Sequence, residues 1–203
     1  PLAAEAVRLD PRVGLKCRIP LCSHYGRSFM CPPLCQTPEQ FAAGLARYRM
    51  GLLVQAPVLR ASGGGSEPLS SGDPATDSER GRAMRESMRS FSALMTSLER
   101  EALGLGCSFA LALAGGTCAL CEDCAALVPG TACRHPFEAR PSMEAVGIDV
   151  AATAKAVGIE LRKTMKCVIS QVLIRRCRYA VHLVERNRDF LLVLSYDEPH
   201  HPY

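Results

Sequence analysis

The chain has 203 residues, 48% of them hydrophobic, and a formal net charge of +4, enough for one substantial core in a single domain spanning 1–203. No apolar run approaches the roughly 20 residues of a membrane-spanning helix, so no membrane association is expected. Trp is absent, aromatics make up 5% and the basic residues are dispersed, which argues against nucleic acid as a partner.

Eleven cysteines dominate the composition. Their number is odd, they cluster, and no charged start leads into an apolar export segment. That combination predicts a cytoplasmic, metal-binding chain rather than a disulfide framework. Four thiolates around a cluster are anionic, so the basic excess has a balancing role without invoking nucleic acid.

The first cysteine-rich segment runs from Cys17 to Cys35. Thr37 as cap, Pro38 at the first helical position and Gln40 in a capping box predict a helix directly after it, with Phe41, Leu45 and Tyr48 on one face. Gly51 to Leu59 predicts a strand in which Pro57 marks an edge or the end. From Ala61 to Asp77 the composition turns to Gly, Ser and Pro, a flexible surface insertion. Thr76 and Glu79 form a second capping box. Met84, Met88, Phe91, Met95, Leu98 and Ala102 then recur at helical spacing and predict one buried stripe.

Cys107 to Ala114 predicts a buried strand ended by Gly115 and Gly116. Asp149 caps a short helix to Val157, with Gly158 as terminator. Val168–Ile174, Tyr179–Val184 and Phe190–Leu194 predict closing strands. Irregular alternation of helices and strands points to an α+β fold, with a mixed or antiparallel sheet, packed helices and two cysteine-rich cluster-binding loops. Cys107, Cys167 and Cys177 lie in or beside apolar stretches and are expected as buried structural thiols.

Cys118, Cys121 and Cys124 form C-x2-C-x2-C, and Cys133 follows after eight residues. Three thiols at this pitch let one loop reach three iron corners of a cubane, and a distant cysteine closes the fourth. Zinc more usually draws ligand pairs from two separated knuckles. The glycines before Cys118 would let backbone N–H groups approach sulfides. Glu122 and Asp123, inside the loop, should face solvent. Arg134, His135 and Arg140 are either surface charge or structural hydrogen bonding, or else a cationic surround that raises the cluster potential.

Cys17, Cys22, Cys31 and Cys35 have the less specific spacing C-x4-C-x8-C-x3-C. Iron–sulfur is the first reading and zinc the alternative; His24 is a further candidate ligand. Pro32 and Pro33 stiffen the connection to Cys35, and the helix starting near Pro38 aims its positive end at that thiol.

The motifs YGRSFMCPP (Tyr25 to Pro33), GGTCALCEDCA and CRHPFEARPSMEAVGIDV (Cys133 to Val150) resemble those of a predicted metal-binding protein family of bacteria and archaea, domain of unknown function 2284. The likeness runs from about Cys17 to the last strands. It implies metal binding, with iron–sulfur as its form and no settled activity. Residues and resemblance together predict two [4Fe-4S] clusters in an electron carrier or electron-transfer subunit that meets a redox partner protein. The rivals are a redox enzyme with an open iron site and a zinc-stabilised interaction module. No nucleophile–base pair, phosphate loop or dinucleotide fingerprint is visible, so a carrier is expected rather than a catalyst.

Overall fold

The computed structural model of the chain describes residues 1–18, 22–57, 79–107, 109–159, 167–174, 180–186 and 189–195. The predicted insertion at 61–77 and its capping residue Thr76 lie outside the described residues. A four-stranded sheet has the order β1 (Leu2–Ala3), β2 (Met50–Pro57), β4 (Cys167–Ile174), β3 (Ala110–Ala112), every pair antiparallel. β5 (Ala180–Arg186) and β6 (Asp189–Ser195) form a separate antiparallel hairpin. With the helices α1 (Leu15–Arg18), α2 (Pro38–Leu45), α3 (Glu79–Gly104) and α4 (Val150–Ala156), the fold is α+β. No helix among the described residues is long and apolar enough to cross a membrane.

The sheet is covered on both faces, because successive strand side chains point to opposite sides. Leu52 and Val54 of β2 pack with Phe91, Met95, Leu98 and Ala102 of α3 and with Ala112 of β3. These are the predicted stripe residues, and Met84 and Met88 of the same stripe are half-buried. Burying side chains of this size stabilises by about 1.5–3 kcal/mol each. On the other face, Leu53 and Leu113 join Phe41 and Leu45 of α2 and Met143, Val146 and Ile148.

α2 begins as its sequence dictates. The Gln40 N–H donates to Thr37 Oγ1 at 3.3 Å, and the Thr37 N–H donates to Gln40 Oε1 at 3.0 Å. Two orphan donors of the first turn are thereby satisfied reciprocally. α4 is capped by Asp149, whose Oδ1 accepts the Ala152 N–H at 2.8 Å.

Two expectations need correction. The strand predicted from Cys107 is confined to Ala110–Ala112, and Phe109 is exposed. The start of that apolar run is used to stop α3 instead: Gly106 takes φ +82, and the Cys107 N–H donates to the Ala102 carbonyl. This satisfies a carbonyl of the last turn and buries Cys107 against Ala102. Cys107 is also disulfide-bonded rather than a free thiol. Cys177 and the side chain of Cys167 lie outside what is described. Pro57 closes β2 opposite Cys167 of β4, beyond the Met50–Gly51 stretch that pairs with β1, so it marks the strand's end.

Candidate metal centre

The second cysteine segment leaves β3 and is pinned at both ends. The Ala114 N–H donates to the Pro141 carbonyl at 2.8 Å, and the Met143 N–H donates back to the Ala114 carbonyl at 3.3 Å. In between, Arg89 of α3 donates from Nε to the Ala119 carbonyl at 2.6 Å. Gly116 passes so near α3 that a Cβ there would stand 2.8 Å from Met88 Cε. Thr131 Oγ1 donates to the Ala125 and Val128 carbonyls, closing the turn that returns the chain to Cys133.

Cys118, Cys121, Cys124 and Cys133 all line one pocket of about 360 Å³, open mouth included. Leu120, Ala125 and Ala139 give it apolar walls, and Arg134 and His135 stand at its side. The His135 N–H donates to Cys133 Sγ at 3.4 Å. Burial pushes the Cys118 thiol up, as would the charges of the three neighbouring cysteines, while a hydrogen bond from the Leu120 backbone pulls it down. A donor aimed at sulfur favours thiolate over thiol, which is the form that binds metal. Backbone N–H groups of Leu120 and His135 are thus directed at cysteine sulfur, and Gly116 lets the loop approach Met88.

The first segment is a chain of tight turns. The Gly26 N–H, at φ +69, donates to the Pro32 carbonyl at 2.8 Å, and the Cys35 N–H donates to the Cys31 carbonyl at 3.2 Å. The Pro32–Pro33 bond is cis. Cys31 is buried, with Sγ 3.6 Å from Thr117 Oγ1. Its burial pushes the thiol up, against the Thr117 and Ser28 hydroxyls that pull it down. Burial likewise raises Cys17, followed by the charges of Cys22 and Cys31. Cys35 is pushed up to about 11, by burial first and then by Cys31 and Cys17. Cys35 Sγ lies 3.6 Å from the Gln36 carbonyl oxygen and 3.8 Å from that of Ala145.

The segment from Ala139 to Val150, part of the last sequence motif, seats both sites. It pairs with Ala114 at the root of the second cysteine segment, brings Ala145 to Cys35, and places Glu144 where its charge acts on Cys17. Gly147 adopts φ +87, and a Cβ on it would lie 2.7 Å from Pro38 Cβ at the start of α2. Only glycine combines that conformation with that contact.

Glu122 and Asp123 are exposed, as expected beside an anionic site. Arg134 is exposed and donates from Nη1 to the Asp123 carbonyl at 3.0 Å, joining the two ends of the cysteine loop. His135 Nδ1 lies 3.5 Å from Glu138 Oε2. Arg140 takes the structural hydrogen-bonding role that the sequence allowed: it is held in a near-buried ion pair with Glu99 of α3. Its partner lies 41 residues away, so no local pattern could reveal it.

Among the described residues, no three His, Cys, Asp or Glu side chains meet closely enough to hold one metal ion. The donor chemistry nevertheless fits a soft, thiophilic group: among the described residues eight free cysteines fall in two sets, with a backbone N–H directed at Cys133 sulfur and the Thr117 hydroxyl in contact with that of Cys31. A family model described as predicted metal-binding protein (DUF2284) matches residues 1–174. No curated protein and no solved structure matches the chain.

Proposed function

The chain belongs to this predicted metal-binding family, and on that premise we propose that it is an iron–sulfur protein acting as a cytoplasmic electron carrier or electron-transfer subunit. Cys118, Cys121, Cys124 and Cys133 would hold one [4Fe-4S] cluster, and Cys17, Cys22, Cys31 and Cys35 another. The observation that carries the proposal is that all four thiols of the second set line one pocket. When bound, such clusters supply one-electron redox capacity at potentials tuned by charge, exposure and hydrogen bonds to sulfur.

The chain's own part is to hold and tune. Leu120 and His135 direct backbone N–H groups at cysteine sulfurs of the second set. Thr117 and Ser28 do the same at Cys31 with hydroxyls. Leu120, Ala125 and Ala139 keep the pocket apolar. Residues 16–36 contain Lys16, Arg18 and Arg27 and no Asp or Glu, which suits a redox partner protein with an acidic face.

One observation favours a second reading, a redox enzyme with an open iron site in the first set. Cys35 Sγ is engaged with two carbonyl oxygens, a contact that suits a protonated thiol. Anaerobic purification with iron and acid-labile sulfide analysis, followed by electron paramagnetic resonance of the reduced protein, tests the proposal. The carrier reading expects about eight iron and eight sulfide per chain. Zinc without sulfide would replace it with the interaction-module reading.

A further inference from the structure

The two cysteine segments meet along residues 28–31. Cys31, counted with the first set, has its Sγ 3.6 Å from the hydroxyl of Thr117, 86 residues further along the chain and next to Cys118. The three residues before Cys31 face the other way: Ser28, Phe29 and Met30 line the pocket of Cys118, Cys121, Cys124 and Cys133. The turn that makes this possible is tightly built. Ser28 is buried, its carbonyl accepts the Cys31 N–H at 3.0 Å, and its Oγ accepts the Met30 N–H at 3.2 Å. Neither set is therefore complete on its own. The second lacks a wall without Phe29 and Met30, and the first has Cys31 held from the second segment.

We propose that residues 28–31 form a wall common to the two sites, with Thr117 as a positioning residue for Cys31, so that each site holds its metal tightly only when the other segment is in place. The inference rests on the metal-binding reading above and deepens it. An apolar wall excludes water and chelator from a thiolate-held group, and partners in contact with ligands typically alter metal affinity by about 10–100-fold. Cooperative loading follows, and a half-loaded chain should be a poorly populated state.

The test uses the full chain purified anaerobically. In one arm Cys17→Ser and Cys22→Ser are combined; neither residue lines the second pocket. Release of the metal left at the second site to excess chelator is followed optically, and a rate about tenfold or more above the unsubstituted chain is expected. An unchanged rate overturns the shared wall. In the other arm Thr117→Val is compared with Thr117→Ser. Thr117→Val should shift the paramagnetic resonance signal and potential of the first site while iron content holds, and Thr117→Ser should restore both. A first-site signal indifferent to Thr117→Val, or altered equally by Thr117→Ser, overturns the positioning role. This second arm decides even where the double cysteine variant fails to fold. A chain isolated without iron would defeat only the iron–sulfur reading. The shared wall is then decided by the same release assay on the cadmium-loaded chain, with cadmium filling both thiol sets.

Discussion

Arg140 and Glu99 form a forked ion pair, Nη2 to Oε1 at 2.5 Å and Nε to Oε2 at 3.1 Å, with side chains only 11% and 13% exposed. Glu99 Oε2 also accepts the Ala112 N–H of β3, and Arg140 donates to the Ala139 and Phe137 carbonyls. One pair thus joins α3, β3 and the segment that follows Cys133.

Removing either partner should be costly. Glu99→Ala leaves the Arg140 guanidinium and the Ala112 N–H without their acceptor in a largely dry setting, a loss of about 3–5 kcal/mol. Replacing both by Met should recover much of it, because the desolvation cost of two charges disappears with them. Denaturant unfolding of the two variants checks this. Equal losses in both would show that packing, and not an uncompensated charge, sets the cost.

Gly147→Ala should destabilise by about 1–3 kcal/mol, since it places a side chain in left-handed backbone and against Pro38. Gly158 offers the control. It has φ +75 with open space around its would-be Cβ, so Gly158→Ala carries the conformational cost alone. The difference between the two in thermal unfolding measures the contact. Metal should be lost from the first set before the second in Gly147→Ala, because Pro38 opens the helix that follows Cys35.

What was legible in the sequence is what local chemistry decides. The capping box at Thr37 and Gln40, the Asp149 cap and the stripe through Phe91, Met95, Leu98 and Ala102 depend on neighbours within a turn or two. The extent of β3 does not: Cys107 to Ala114 is apolar apart from Ser108, but among the described residues Ala110–Ala112 are the ones paired with β4. The cysteine spacings marked the four thiols that line the second pocket. They could not show that Cys31 touches Thr117, or that Phe29 and Met30 wall the second pocket, because those contacts join segments far apart in the chain.

Arg134→Gln should leave metal content intact, because Arg134 bonds a carbonyl and no sulfur. On the iron–sulfur reading the reduction potential of the second site should fall, since a nearby cation favours the more negative reduced state. Arg134 is exposed, so the shift should shrink in 1 M salt, where the Debye length is about 3 Å. Voltammetry of both proteins at low and high salt checks it. A potential unmoved at low salt would mean that water already screens the guanidinium.

The last prediction concerns Cys35 and separates a carrier from an enzyme. A carrier needs every iron capped by the protein, so that coordination is the same in both redox states. A catalytic site needs one exchangeable position. Cys35 lies within electrostatic reach of Cys31 and Cys17, and its thiol is pushed up to about 11 from an ordinary 9.0, chiefly by burial. In the metal-free chain the folded state therefore keeps this proton longer than the unfolded state does. The stabilisation is fully present below pH 9 and is lost as pH rises through 11, because above 9 the unfolded chain releases a proton that the folded chain retains. Cys35→Ser should flatten that loss in unfolding curves of the metal-free protein. Metal must displace the same proton, so loading of the first set should strengthen as pH rises toward 11 and release acid when it occurs. With Cys35 as a ligand, Cys35→Ser should lower the iron content of the first set or change its paramagnetic resonance signal, while the second set is unaltered apart from faster release. If Cys35→Ser instead keeps a full four-iron complement with an unchanged spectrum, the fourth iron was never capped by this thiol. The contacts of Cys35 with the Ala145 and Gln36 carbonyls are then its native role, and the open-site enzyme replaces the carrier.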